Sequence, residues 1–158
     1  MSDDVVASIR IEAPPEAVFR FFVDPDRLVR WMGTEADIEP VVGGRFSVDV
    51  TGDDVAVGAY TEIDPPRRVA FTWGWEGNDG VPPGSSTVTV DLSEVDGGTE
   101  LTLTHRGLPD EDACRRHHEG WTHYLGRLAT AGEGRPVPDD PMRARRGVRA
   151  DAVADRDK

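Results

Sequence analysis

Residues 98–131 read GTELTLTHRGLPDEDACRRHHEGWTHYLGRLATA, and this stretch decides the fold. Leu101, Leu103 and His105 share one face, with Thr102, Thr104 and Arg106 on the other. That is the period of two expected of a strand with one buried side. Gly107-Leu108-Pro109 ends it, and Asp110, Glu111 and Asp112 place negative charge where a helix start favours it. Cys114, His117 or His118, Trp121, Leu125 and Leu128 then recur at helical spacing as far as Ala131, and Gly132 is a natural stop. About 20 residues at 1.5 Å each make a rod of roughly 30 Å, long enough to cross a whole twisted sheet.

Working outward, the preceding chain is mostly strand. Val5, Ala7, Ile9 and Ile11 alternate with Ser8, Arg10 and Glu12. Pro14-Pro15-Glu16 then suits a helix start, and Val18, Phe21 and Phe22 form its apolar face. Asp24 is placed to cap a second short helix carrying Leu28, Trp31 and Met32, with Gly33 as its stop. Further alternating faces follow at Ala36, Ile38 and Val41, at Phe46, Val48 and Val50, and at Val55, Val57, Ala59 and Ile63. Val69, Phe71, Trp73 and Trp75 form the most apolar face, and Val88, Val90 and Leu92 precede the hairpin signal Asp96-Gly97. The loop Gly77–Ser86 is long for a hairpin and reads as a lid or a plain flexible connection.

The order is one strand, two short helices, about six meandering strands and one long helix. Short turns between consecutive strands build an antiparallel sheet, and one apolar face of it needs a cover that only the last helix can supply. The expected class is α+β: a curved antiparallel sheet wrapped around a long C-terminal helix, with two short helices after the first strand. Residues 1–132 form that domain. Residues 133–158 hold seven cations, six acids and few large apolar groups, and read as a flexible charged tail with a weak helical pattern around Met142–Val153.

Of the 158 residues, 37 % are hydrophobic, enough for one core, and the formal net charge is −12. Because the tail carries +1, the body is the acidic part. This field argues against nucleic acid and against docking on an anionic membrane. One cysteine excludes an internal disulfide and a CxxC site. The acidic N-terminus lacks the basic and apolar regions of a signal peptide, and no apolar run approaches the roughly 18 residues of a membrane span. A soluble cytoplasmic protein is expected.

Several segments together resemble the START-like (SRPBCC) helix-grip superfamily and, within it, the group named after the activator of the heat-shock-protein-90 ATPase. They are residues 13–19 (APPEAVF), Asp24-Pro25 with Leu28 and Trp31, Gly43-Gly44-Arg45-Phe46 and residues 64–69 (DPPRRV). Phe71-Thr72-Trp73, residues 98–103 (GTELTL) and His118-Glu119-Gly120-Trp121 with Leu125 and Leu128 complete the set. The likeness spans about residues 5–132. It implies the helix-grip fold and a pocket between sheet and helix. The co-chaperone that names the group also has a separate N-terminal domain, for which this chain has no room, so its chaperone activity is not carried over.

The large aromatics Phe46, Phe71, Trp73 and Trp75 fall on the sheet's apolar face, Trp31 on the second short helix and Trp121 on the long helix. They read as core or as the wall of a cavity for a small apolar or aromatic ligand, and the resemblance favours the wall. His105 and one of His117 and His118 read as satisfied histidines or as the cavity's polar handles. The cavity candidates are therefore Trp31, Phe46, Phe71, Trp73, Trp75, His105, His117 and Trp121. No cofactor and no metal is expected: His118 and His123 are five apart and diverge by about 140° on a helix, and no HExxH exists. Gly84-Ser85-Ser86 is not a GxSxG elbow, and Cys114 falls on the apolar stripe. Three functions remain: binding of a small apolar molecule, a cyclase- or hydrolase-like enzyme using His105 or His117 on a polyketide-like substrate, and a co-chaperone-like or regulatory module with a protein partner.

Overall fold

The computed structural model describes residues 4–138 and 140. The elements run β1 (Val5–Ile11), α1 (Pro15–Val23), α2 (Pro25–Leu28), β2 (Glu35–Ile38), β3 (Arg45–Asp49), β4 (Val55–Asp64), β5 (Arg68–Trp73), β6 (Ser86–Val95), β7 (Gly98–Arg106) and α3 (Glu111–Gly132). The strands form one antiparallel sheet in the order β1-β7-β6-β5-β4-β3-β2. Only the first strand leaves sequence order, pairing with the last, so Val5 lies opposite His105 and Ile11 opposite Thr99. This is the α+β helix-grip arrangement that the element order implies.

The alternation becomes burial on β5, β6 and β7, whereas on β4 the buried side is Ala56 and Tyr60 and not the expected Val55, Val57 and Ala59. Leu101, Leu103 and His105 are buried on β7, Val88 and Val90 on β6, and Phe71 and Trp73 on β5. Trp121, Tyr124, Leu125 and Leu128 of α3 join the same cluster, together with Phe21 and Phe22 of α1. Asp110 caps α3, its Oδ1 accepting from the Ala113 N–H at 2.8 Å. The helix continues through Gly132, and the left-handed residue that follows it is Gly134 (φ +78°).

Three further local expectations are corrected. The second short helix ends at Leu28, so Trp31 and Met32 lie in the turns after it. Their backbone bonds reach back to Leu28, and the tightened chain lets the Trp31 indole donate to Phe21 O at 3.0 Å. Val41 is not on a strand face: β2 stops at Ile38, Pro40 follows, and Val41 is exposed in a turn. Trp75 is not in β5, which ends at Trp73. After Trp73 the chain parts from β6, because the β5–β6 loop folds back over Gly74, where a Cβ would fall 1.7 Å from Pro82 O, but it stays bonded to β4, with Trp75 bridged to Ala56. That loop is tied down by the Trp75 N–H on Val81 O (2.7 Å) and by Asn78 Oδ1, which accepts from Gly80 N and Val81 N.

The segment read as a tail begins against the body. Glu133 Oε2 accepts from the Glu12 N–H, Arg127 Nη1 donates to Pro138 O, and Asp140 is buried. The helical pattern at Met142–Val153 lies outside the described residues. Among the described residues, no helix is long and apolar enough to cross a membrane.

Gly58 of β4 is the tightest point of the sheet, since a Cβ there would lie 1.8 Å from Thr72 O. Gly58→Ala is expected to lose about 3 kcal/mol or more by forcing β4 from β5, as overpacked backbone cannot yield as a flexible side chain does. Urea unfolding measures it; a loss below about 1 kcal/mol would show that the strands can separate there without penalty.

Candidate functional site

A cleft of about 910 Å³ opens between the first half of α3, the β3–β4 turn and the start of the β5–β6 loop. Three tryptophans wall it: Trp73 at the end of β5, Trp75 just beyond, and Trp121 on α3. The Trp73 ring centroid lies 5.0 Å from that of Trp121 and 5.2 Å from that of Trp75. Met32 and Val50 add apolar wall, and His117, His123 and Tyr124 line it from the helix. Trp73 faces inward because it continues the β5 alternation of Val69 and Phe71. His117 and Trp121 share a helix face because they are four residues apart.

His105 lies behind this wall, fully buried. Its Nδ1 accepts from the Trp121 indole N–H at 3.0 Å, and its Nε2 lies 2.8 Å from Ser86 Oγ. The Ser86 hydroxyl spends its hydrogen on Trp73 O, 2.8 Å away, so the proton between serine and histidine belongs to Nε2. The ring is therefore the neutral Nε2–H tautomer. A second proton on Nδ1 would oppose an N–H already pointing there. Burial, with a smaller contribution from His117, pushes its pKa down to about 3.

His117 is built the other way round. Its Nδ1 lies 2.8 Å from Ala113 O, a group that can only accept, so Nδ1 carries the hydrogen. Its Nε2 accepts from the Trp75 indole at 3.0 Å. Burial lowers its pKa, the bond to Ala113 opposes that shift, and Arg116 adds to it. The rings of His105 and His117 meet edge to face with centroids 5.1 Å apart. Each has its basic nitrogen occupied by an indole donor.

Of the eight candidates read from the sequence, Trp73, Trp75, His117 and Trp121 line the cleft together. Of the two adjacent helix histidines, His117 faces it, while His118 is exposed. Phe46 and Phe71 do not line it: they stack on each other at 4.1 Å and back the Trp73 ring from the core. Trp31 does not line it either, being fully buried edge-on to Phe22. His105 does not line it either: it backs the wall through Trp121, Trp73 and His117. The sequence reading missed Tyr124, His123 and Asp140. The Tyr124 hydroxyl donates to Asp140 Oδ2 at 2.7 Å, and His123 Nε2 lies 3.0 Å from Asp140 Oδ1. Tyr124 was findable, three residues from Trp121 on the same face. Asp140 carried no signal within a charged, apolar-poor segment.

The family described as activator of Hsp90 ATPase homolog 1-like protein matches residues 12–133. The chain belongs to that family. It is 28 % identical over 111 residues to the mouse (Mus musculus) activator of 90 kDa heat shock protein ATPase homolog 1, covering 70 % of this chain. It spans 31 % of that curated relative's length. The solution structure of an AHSA1-like protein from Rhizobium etli is similar at 49 % identity and TM-score 0.72, covering 89 % of this chain and 88 % of that one. DynU16, a protein in the dynemicin biosynthetic locus, is similar at 25 % identity and TM-score 0.75, covering 89 % of this chain and 51 % of its own. The likeness to this family and the helix-grip fold are as the sequence segments implied.

The tautomers have a measurable consequence. His105 binds its proton in the unfolded chain near pH 6.5 but in the folded chain only near 3. Its contribution to stability is complete above about pH 6.5 and is lost as pH falls toward 3, by up to about 1.4 kcal/mol per pH unit. Long-range proton–nitrogen spectra are expected to show His105 as the neutral Nε2–H ring from pH 8 to pH 4.5. An imidazolium signature at pH 5 would contradict this hydrogen-bond assignment.

Proposed function

We propose that the protein binds a small apolar, aromatic molecule in the cleft between α3 and the sheet. One observation carries this reading: three indoles converge on about 910 Å³ of space, within the size range of roughly 300–1,000 Å³ typical of ligand pockets. A tight core would close such a volume, whereas flat aromatic walls with few rotatable bonds suit a planar guest. The similarity to a protein of a biosynthetic locus supports a small-molecule role. The histidines serve this site as acceptors for the wall's indole N–H groups, which hold Trp75 and Trp121 in place. An acid–base role for either would first require that bond to break.

The four indole N–H signals test the site. Titration with 2-acetylnaphthalene is expected to shift those of Trp73, Trp75 and Trp121 and to leave that of Trp31 in place, because Trp31 is bonded to Phe21 O outside the cleft. Equal shifts in all four, or none, would sink the reading. Native mass spectrometry of protein purified from its own host should show an added mass that leaves on denaturation.

A second reading is regulation of a protein partner, with an Hsp90-class chaperone as the candidate, and it rests on the mouse relative's name. The chain spans only part of that relative, so the test must be direct. The ATPase rate of the host's own Hsp90-class chaperone is expected to rise when this protein is added. An unchanged rate, with no binding detected by calorimetry, removes this reading.

A further inference from the structure

The chain has four tryptophans, and three of their N–H groups are spent: Trp31 on Phe21 O, Trp75 on His117 Nε2 and Trp121 on His105 Nδ1. The fourth is not. Trp73 is 2 % exposed, walls the cleft, and its Nε1 meets no acceptor among the described residues. Buried donors are nearly always paired, so this one calls for an explanation. Its ring neighbours cannot supply a partner. Phe46, Phe71, Trp75 and Trp121 have no side-chain acceptor, and both nitrogens of His105 are engaged.

The charge around the cleft adds a second constraint. Asp54, Glu76, Asp79 and Glu119 contribute to its lining, with Arg116 the one lining guanidinium; Arg116 is itself 3.0 Å from Asp112, and Glu119 lies 3.9 Å from Arg115. His117 is held neutral by its hydrogen bonds. An anionic guest would enter against this field, whereas a neutral or cationic one would not.

We infer that the cleft selects a planar, neutral or cationic molecule bearing a hydrogen-bond acceptor, and that Trp73 Nε1 is the donor for that acceptor. The inference rests on the ligand-binding reading and narrows it to a class. The donor is buried, and of the two tryptophans packed on Trp73 it is Trp75 that is only half-buried, its backbone bridged to Ala56. A guest therefore reaches Trp73 by parting the edge-to-face contact of the Trp73 and Trp75 rings. The acceptor then relieves an unmet buried donor, which makes its effect larger than that of an ordinary exchange with water.

Three probes of one shape test this at pH 7: 2-acetylnaphthalene, a neutral acceptor; 2-ethylnaphthalene, its hydrocarbon counterpart; and 2-naphthoate, an anion. The ketone is expected to bind about tenfold tighter than the hydrocarbon. Naphthoate is expected to bind more weakly than the ketone. In the unaltered protein, the Trp73 indole proton should move downfield with the ketone and not with the hydrocarbon, a readout that needs no variant. In Trp73→Phe, the ratio of ketone to hydrocarbon affinity should fall close to one. Equal affinities in the unaltered protein, or a tenfold ratio that persists in Trp73→Phe, overturns the donor assignment. Naphthoate binding tightest overturns the charge selection. If none of the three binds, the ligand-binding reading itself fails, which separates that failure from the others.

Discussion

The hydrogen bond from the Trp121 indole to His105 Nδ1 is the contact on which the architecture turns. It joins the covering helix to β7, and the same imidazole passes the connection through Ser86 of β6 to the Trp73 carbonyl of β5. One buried polar chain thus ties α3 to three adjacent strands. Apolar burial alone would set the depth of the helix but not its rotation, since hydrophobic contact is non-directional. The bond from Trp75 to His117, one helical turn from Trp121, fixes the same rotation a second time. Turning α3 by one residue, about 100°, would break both bonds and leave buried donors and acceptors unpaired.

This arrangement determines what the cleft can do. A histidine beside an apolar pocket suggests proton transfer, and His105 and His117 stand in such places. Both have already used their basic nitrogen to accept from an indole, and burial disfavours the charged form of each. Trp75 and Trp121 are thereby held with their polar edges on internal partners, whereas the Trp73 N–H has none among the described residues. Tyr124 is held similarly: its hydroxyl rests on Asp140, and burial, reinforced by that carboxylate, pushes it well above the usual phenol range.

Much of this was legible in the sequence, and the parts that were not share a cause. The run Leu101, Leu103, His105 and the stripe Trp121, Leu125, Leu128 set strand and helix through simple periodicity, which survives folding because it is a property of the backbone. Trp75 looked like a continuation of β5 because its parity is right. It leaves the strand because Pro82 crosses over Gly74, a contact between residues distant in pattern. Phe46, Phe71 and Trp73 have the same alternation, yet only Trp73 reaches the cleft, since depth along a strand is set by where the helix ends rather than by parity. Residues 133–158 read as unable to fold on composition, and composition is blind to a single carboxylate. Asp140 is buried because Tyr124 and His123 offer it two donors.

The acidity of the body acquires a shape in the fold. Arginines on the sheet and in its turns face carboxylates directly: Arg68 between Glu62 and Asp91, Arg10 beside Glu12, Arg45 beside Asp37 and Arg67 beside Asp64. Exposed pairs of this kind add little stability, typically under about 1 kcal/mol each. Their larger effect is on the field. At the cleft, four lining carboxylates meet one lining guanidinium. Three of these carboxylates, Glu76, Asp79 and Glu119, are exposed, so the field they set up is strongest at low ionic strength. In the proposed reading, a general feature of composition becomes a local filter on charge. The same helix-grip frame can serve other chemistries by changing only the side chains that face this opening.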